Sequence, residues 1–271
     1  MNSPKIIVHC LVKNEENFIW YALTSVLPFA DKILVWDNGS TDKTVDIVKS
    51  INSQKIELER HLTNSREEVA NLRQKMLGKT PKNYDWLMIL DGDEIWSKKS
   101  LEKVITFIKK HPSTETIVTK TYNLVGDIYH RLPNKFGGYT FLGKKGNYSL
   151  RFINLKTIPG LHVASPYGSE GYYDGNNLPI QYREGVKYIN TEYFHATHLV
   201  RSKENKNVYD RTGKLKFYLG ILNPKYKIPE VFFINKPKIV PDVTITLSIK
   251  SKIRSIIETI PRDLKNILFK K

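Results

Sequence analysis

Short apolar, β-branched runs alternate with helix-spaced apolar positions through the first half of the chain, the pattern of a mostly parallel sheet with crossover helices. Lys5 to Leu11 predicts a first strand. Phe18, Trp20, Tyr21, Leu23, Thr24 and Leu27 recur at helical spacing until Pro28, and Lys32 to Trp36 predicts a second buried strand ending on Asp37-Asn38-Gly39. Ser40 or Thr41 can cap a helix through Val45, Ile47 and Val48; a strand over Ile56 to Leu62 and a helix over Ser65 to Leu77 follow. Trp86 to Leu90 is a continuous apolar strand that delivers Asp91-Gly92-Asp93-Glu94 at its carboxyl end, the edge where open α/β sheets bind ligands. Ser100 to Lys110 predicts a further helix and Thr116 to Leu124 a further strand.

From Gly126 to Gly185 the periodicity fades and Gly, Tyr, Asn and Pro become dense, which predicts long loops built over a site. Thr191 to Leu199 is expected to return to the sheet, and Asn205 to Leu222 reads as helix. Leu247 to Lys271 spaces Ile249, Ile253, Ile256, Ile257, Ile260, Leu264, Ile267 and Leu268 helically among basic residues, with Pro261 kinking the run. That segment is either an amphipathic helix for an anionic membrane interface or a docked helix with a solvated basic face. The expected division is residues 1–125, 126–245 and 246–271.

Charge changes the picture of partners: 43 Lys and Arg against 27 Asp and Glu leave +16, which favours nucleic acid, anionic lipid or a phosphorylated substrate without choosing among them. The single cysteine, Cys10, lies in an apolar run and has no internal disulfide partner, which fits a reducing compartment. The opening Met1-Asn2-Ser3-Pro4 lacks the succession of a secretory signal, and no apolar stretch approaches the roughly 20 residues that span a bilayer. The expected location is therefore cytoplasmic, with peripheral membrane contact at most.

Asp91, Asp93 and Glu94 repel one another in a poorly solvated turn, and a divalent cation is the natural counter-charge. Alternate carboxylates with a glycine between can direct oxygens to one hard ion, Mg²⁺ or Mn²⁺, bridging to phosphate oxygens. The plain alternative is a capping turn. Two further polar loops leave the same edge: Val12-Lys13-Asn14-Glu15-Glu16 after the first strand and Asp37-Asn38-Gly39-Ser40-Thr41-Asp42 after the second.

With Leu90-Asp91-Gly92-Asp93-Glu94, these loops occur in an order and spacing that resemble family 2 of the glycosyltransferases, a group with the GT-A fold, over roughly the first 125 residues. The resemblance implies a Rossmann-like α/β domain with a mostly parallel central sheet flanked by helices, to which the spacing in 246–271 adds a C-terminal amphipathic helical extension. It implies an inverting transferase that takes a nucleoside-diphosphate sugar, with UDP the expected nucleotide, to a glycan or lipid-linked acceptor. Residues 1–125 would then bind the donor and 126–245 the acceptor.

Residue by residue, the resemblance places Asp37 against the donor's base, Asp91 and Asp93 on metal and diphosphate, and an Arg before the metal strand at Arg73, with Arg66 its rival. Asn14 and Glu15 either border the nucleotide pocket or cap the following helix. A carboxylate must receive the acceptor's proton, and Glu170 and Asp174 are the candidates, Glu170 preferred. A late histidine can complete a metal shell; of His195 and His198, which a strand would send to opposite faces, His198 is favoured, and His162 belongs to the same class.

Four other classes fit less well. A nucleotidyltransferase needs a glycine-rich loop after the first strand, where this chain has Val12-Lys13-Asn14-Glu15-Glu16-Asn17, and an aspartyl-nucleophile phosphatase carries its paired Asp on the first strand. A nucleic-acid binder needs exposed aromatics, whereas Trp36 and Trp86 lie inside apolar strand runs. A non-catalytic scaffold on the same fold is opposed by the intact acidic triplet.

Overall fold

The computed structural model describes residues 3–63, 65–133, 138–141, 143–164, 171–204 and 220–246. In chain order the main elements are β1 (Ile6–Val12), α1 (Ile19–Val26), β2 (Lys32–Asn38), α2 (Thr44–Ser50), β3 (Ile56–His61), α3 (Arg66–Gly78), β4 (Trp86–Leu90), β5 (Glu94–Trp96), α4 (Lys98–Lys110), β6 (Thr116–Val125) and β7 (Asp127–Arg131). There follow β8 (Tyr139–Phe141), β9 (Lys144–Gly146), β10 (Tyr148–Asn154), β11 (His162–Ala164), β12 (Gly171–Tyr173), β13 (Val186–His198) and β14 (Ile221–Leu222).

The central sheet runs β14-β7-β6-β10-β4-β1-β2-β3, with β13 paired to both β6 and β5. Strands β3, β2, β1 and β4 are mutually parallel, and β13 is parallel to β6. Burial on both faces explains the continuous apolar runs of β1, β2 and β4. Ile6, Val8, Cys10 and Val12 pack under α1, α2 and α4, while Ile7, Leu34, Trp36, Leu87 and Ile89 pack under α3 through Leu72 and Met76. Burial pushes the Cys10 thiol well above its ordinary range, as suits an inert core residue.

The helices begin where side chains can satisfy their free N–H groups. Ser65 accepts from the Glu68 N–H at 3.1 Å and Ser97 from the Ser100 N–H at 3.1 Å. For α2 the expected caps are replaced: Asp42 accepts from the Thr44 N–H, and the Ser40 hydroxyl instead accepts from the Asn14 N–H at 2.8 Å. That exchange ties the loop after β2 to the loop after β1.

The region expected to be loops, 126–185, holds six strands among its described residues, one of them β10, which enters the sheet antiparallel between β4 and β6. Its run Tyr148-Ser149-Leu150-Arg151-Phe152-Ile153-Asn154 has no clean alternation, and partners distant in sequence supply its ladder. Residues 221–222, expected at the end of a helix, form β14 on β7, while 205–219 and the basic segment 247–271 lie outside the described residues.

His9, on the α3 side of β1, is 1% exposed with Nε2 2.9 Å from the Thr80 hydroxyl. Burial, with Arg73 nearby, lowers its pKa from 6.5 to about 3. A depressed folded value means that the neutral imidazole contributes stability above pH 6.5 and loses it as pH falls towards the folded value. Unfolding free energy should therefore drop by about 2 kcal/mol between pH 7 and pH 5 through this group alone. Urea titrations of His9→Leu should show a correspondingly flatter pH dependence; an unchanged slope would mean that the imidazole is not shut off from protons.

Candidate active site

Strands β1, β2 and β4 end side by side, so the three polar loops share one edge of the sheet. Between β4 and β5 the chain turns through Asp91, Gly92 and Asp93, and β5 pairs antiparallel with β13 so that Glu94 faces His195 across the ladder. The Ala196 N–H donates to the Asp93 carbonyl at 2.9 Å and the Glu94 N–H to the Asp91 carbonyl at 3.1 Å, clamping the turn from both sides. Only glycine suits position 92, because a Cβ there would lie 2.9 Å from both Glu15 Cγ and Val12 Cγ1.

Each carboxylate of this cluster has a cationic neighbour. Asp91 accepts from Arg73 Nη2 at 3.4 Å and from Arg151 Nη2 at 3.2 Å, and Arg151 also pairs with Glu94. Asp93 Oδ1 lies 3.3 Å from His195 Nε2, and Arg201 Nη1 lies 2.7 Å from Glu15 and 3.8 Å from Asp93 Oδ2. Arg151 is aimed inward by a bulge: Leu150 opposes Val118 and Phe152 opposes Ile117, leaving Arg151 as the extra residue in β10.

The environment separates these groups electrostatically. Burial lifts Glu94 to about 7 even with Arg151 beside it, and burial reinforced by Asp93 lifts Glu15 well above the usual carboxylate range. Burial acts on Asp93 too, but His195 and Arg201 outweigh it and hold that carboxyl at about 2. Asp91 is likewise lowered, Arg151 and Arg73 overcoming the effect of burial. For His195 burial opposes the charged form, yet the surrounding carboxylates, Asp93 first, raise its pKa overall.

A divalent cation fits this set. Ligand atoms of Asp91, Glu94 and His195 lie within 4.8 Å of one another, two carboxylates and an imidazole being competent donors for Mg²⁺ or Mn²⁺. Buried Glu15 Oε2 and Asp93 Oδ2 have no hydrogen-bond partner among the described residues. The histidine brought to the turn is thus His195 and not the expected His198, which pairs with Val125 beyond a register shift in β13. Three residues apart on a strand, the two cannot share a face. Asp93 Oδ1 faces His195, and the ligand atoms that converge beside Asp91 are those of Glu94 and His195.

Elsewhere the expected residues have mixed placements. Asn14 adopts φ 54°, a conformation Asn tolerates, and its Oδ1 accepts from the Thr41 N–H at 2.8 Å. The Glu15 N–H donates to the Thr44 hydroxyl at 2.8 Å. Asp37 is fully buried, accepting from the Ser40 N–H at 3.1 Å and from Arg60 Nε at 3.3 Å, so its carboxylate organises its own turn. Arg73 Nη2 lies 3.4 Å from Asp91 Oδ1, while the backbone of Arg66 opens α3.

A cavity of about 230 Å³ opens beside the turn, lined by Arg73, Asp91 and Arg151 on its polar side and by Ile89, Leu150, Val163, Tyr172 and Ile180 on its apolar side. Asp174, expected as a base, is not among its lining residues. Its carboxylate accepts from the Asn176 and Leu178 N–H groups, each at 3.0 Å, and pairs with Arg183, so it is spent on a turn and an ion pair. Glu170 lies outside the described residues. His162, half-buried on β11, approaches the Gly160 carbonyl and stacks on Tyr173, away from the acidic turn's ligand group.

Arg151, Arg201 and Arg60 were not expected here. The signal for Arg151 is a charged residue inside the run Leu150-Arg151-Phe152-Ile153, since a buried arginine needs a partner. Nothing local marks Arg201 or Arg60, whose partners are 186 and 23 residues away.

Residues 8–163, more than half of the chain, match the family model described as glycosyl transferase family 2. An uncharacterized glycosyltransferase of Rickettsia bellii is 31% identical over 102 residues, 38% of this chain and 32% of that protein. One of Rickettsia typhi is 29% identical over 107 residues, 40% and 34% of the respective chains. The match thus spans about a third of these relatives' length. The crystal structure of Staphylococcus aureus TarS superposes with a TM-score of 0.50 and 17% identity, covering 70% of this chain and 36% of TarS, a likeness of fold. From the family match together with the arrangement of its three loops, the chain belongs to glycosyl transferase family 2.

Proposed function

We propose that this transferase moves a sugar from a nucleoside-diphosphate donor, UDP being the expected nucleotide, to a glycan or lipid-linked acceptor with inversion. The observation that carries the reading is the convergence of Asp91, Glu94 and His195 on the ligand-binding edge of the sheet, with Asp91 and Arg73 lining the cavity beside it. Asp91, Glu94 and His195, with Asp93 behind them, would hold Mg²⁺ or Mn²⁺. A bound cation there supplies Lewis-acid stabilisation of the charge developing on the departing diphosphate.

The chain's own groups supply the rest of the chemistry. Asn14, Glu15 and Asp37 border the nucleotide end, where the loops after β1 and β2 are tied together. Arg73 braces Asp91 and adds positive charge on the phosphate side. The acceptor's hydroxyl oxygen attacks the anomeric carbon as the bond to the diphosphate oxygen breaks, and its proton passes to a carboxylate, for which Glu170 is the candidate. The +16 charge and the basic segment 246–271 favour a membrane-held acceptor on the cytoplasmic face. Among the described residues no helix is long and apolar enough to cross a membrane.

Calorimetric titration of UDP and GDP tests the donor site. One of them should bind in the presence of Mn²⁺, and Asp91→Asn combined with Glu94→Gln should weaken it by about tenfold or more while the protein stays folded. Equal binding in EDTA would remove the metal from the reading; no binding of either nucleotide would move a scaffold or polyanion-binding role ahead.

Glu170→Gln should lower turnover by about 10²-fold or more with nucleotide affinity unchanged. Asp174→Asn should lower the thermal midpoint and leave the turnover of the folded fraction intact. The reverse pattern in these two variants would transfer the base to Asp174. For the membrane reading, vesicles rich in phosphatidylglycerol should co-sediment the full chain in a salt-sensitive way, and removal of residues 246–271 should abolish this. Equal retention on neutral vesicles would count against it.

A further inference from the structure

Resting on the donor reading above, we propose that Arg151 is a direct ligand of the donor's diphosphate, held against the acidic turn until the donor arrives. Its guanidinium lines the cavity beside Arg73 and Asp91 and stays 14% exposed, so it is partly desolvated yet reachable from the cavity. The β10 bulge that puts it there interrupts the register between Leu150 and Phe152. Such an interruption sacrifices regular strand pairing to re-aim one side chain.

Its donors are unevenly used. Nη2 serves both Asp91 Oδ2, at 3.2 Å, and Glu94, whereas Nη1 reaches only the Leu150 carbonyl at 3.5 Å and Nε has no hydrogen-bond partner among the described residues. A desolvated guanidinium that lines a cavity and whose N–H groups are incompletely used is suited to a planar, multi-oxygen anion. The Tyr193 ring, 5.5 Å from the guanidinium carbon, supports its face and allows it to re-pair without leaving the site.

Charge balance gives the same direction. Asp91 is shared by Arg73 and Arg151, and Glu94 is held by Arg151. These are two of the three residues that fit a divalent cation. A cation drawing on both carboxylates leaves Arg151 in a poorly solvated place with its counter-charge neutralised, and the diphosphate is the anion that enters alongside. Arg151 and a bound cation would compete for these carboxylates without donor and would act together on the phosphates with it.

The competing explanation is that Arg151 only braces the turn, and phosphate selectivity separates the two. Wild type, Arg151→Gln and Arg151→Lys, as full chains checked by thermal unfolding, would be titrated at saturating Mn²⁺ with UDP by calorimetry and with uridine by NMR, or with GDP and guanosine if that is the pair wild type binds. Arg151→Gln should weaken the diphosphate by about tenfold and leave the nucleoside within about twofold. Arg151→Lys should lose about threefold, keeping the charge without the fork. Mn²⁺ alone, followed by electron paramagnetic resonance, should bind Arg151→Gln at least as tightly as wild type. Parallel weakening of nucleotide and nucleoside, or no change in either, would overturn the proposal, and if Arg151→Gln does not fold, Arg151→Lys is read by the same ratio. Failure of wild type to bind any nucleotide would instead overturn the donor reading, and the proposal with it.

Discussion

Four carboxylates, Glu15, Asp91, Asp93 and Glu94, are gathered at one sheet edge, and neutralising them is the constraint on which the rest of the site depends. At an effective dielectric of about 20, two like charges about 4 Å apart repel by about 4 kcal/mol. Arg73, Arg151, Arg201 and His195 answer that repulsion, and each comes from a different part of the chain: α3, β10, the segment after β13 and β13 itself. The fold brings these elements together, and the ion pairs brace the turn between β4 and β5. Removing one partner of such a buried pair typically costs about 3–5 kcal/mol, so the cluster resists change at any member.

The same arrangement sets different roles for neighbouring acids. Asp93, against His195, is held ionised, while Glu94, one residue on, is pushed towards neutrality by its burial. Groups whose environments drive their titration apart in a cleft are the mark of a chemical site more than of a structural turn. The side chains whose ligand atoms converge are Asp91, Glu94 and His195, with Asp93 against the histidine.

Much of the scaffold was legible because it rests on local pattern. Continuous apolar runs at Ile6–Val12, Lys32–Asn38 and Trp86–Leu90 report strands buried on both faces, and Ser65 and the Leu101, Val104 and Ile108 stripe report helices. The family resemblance rested on loops that leave those strands, and the family match extends it to residue 163. The strands of 126–185 were not legible, since short segments rich in Gly and Tyr take their structure from hairpin partners and from β4 and β6.

By itself, then, the sequence determined the α/β architecture of the first half, the edge at which chemistry gathers, and the acidic turn, because hydrophobic period, turn residues and charge are local properties. Tertiary structure alone decided which histidine meets the turn, that Glu94 joins Asp91, and that Asp174 is tied to Arg183. It also decided that Arg151 and Arg201 supply the counter-charges. Those outcomes depend on the register of β13 against β5 and on a single bulge in β10, which are fixed by packing between segments distant in the chain.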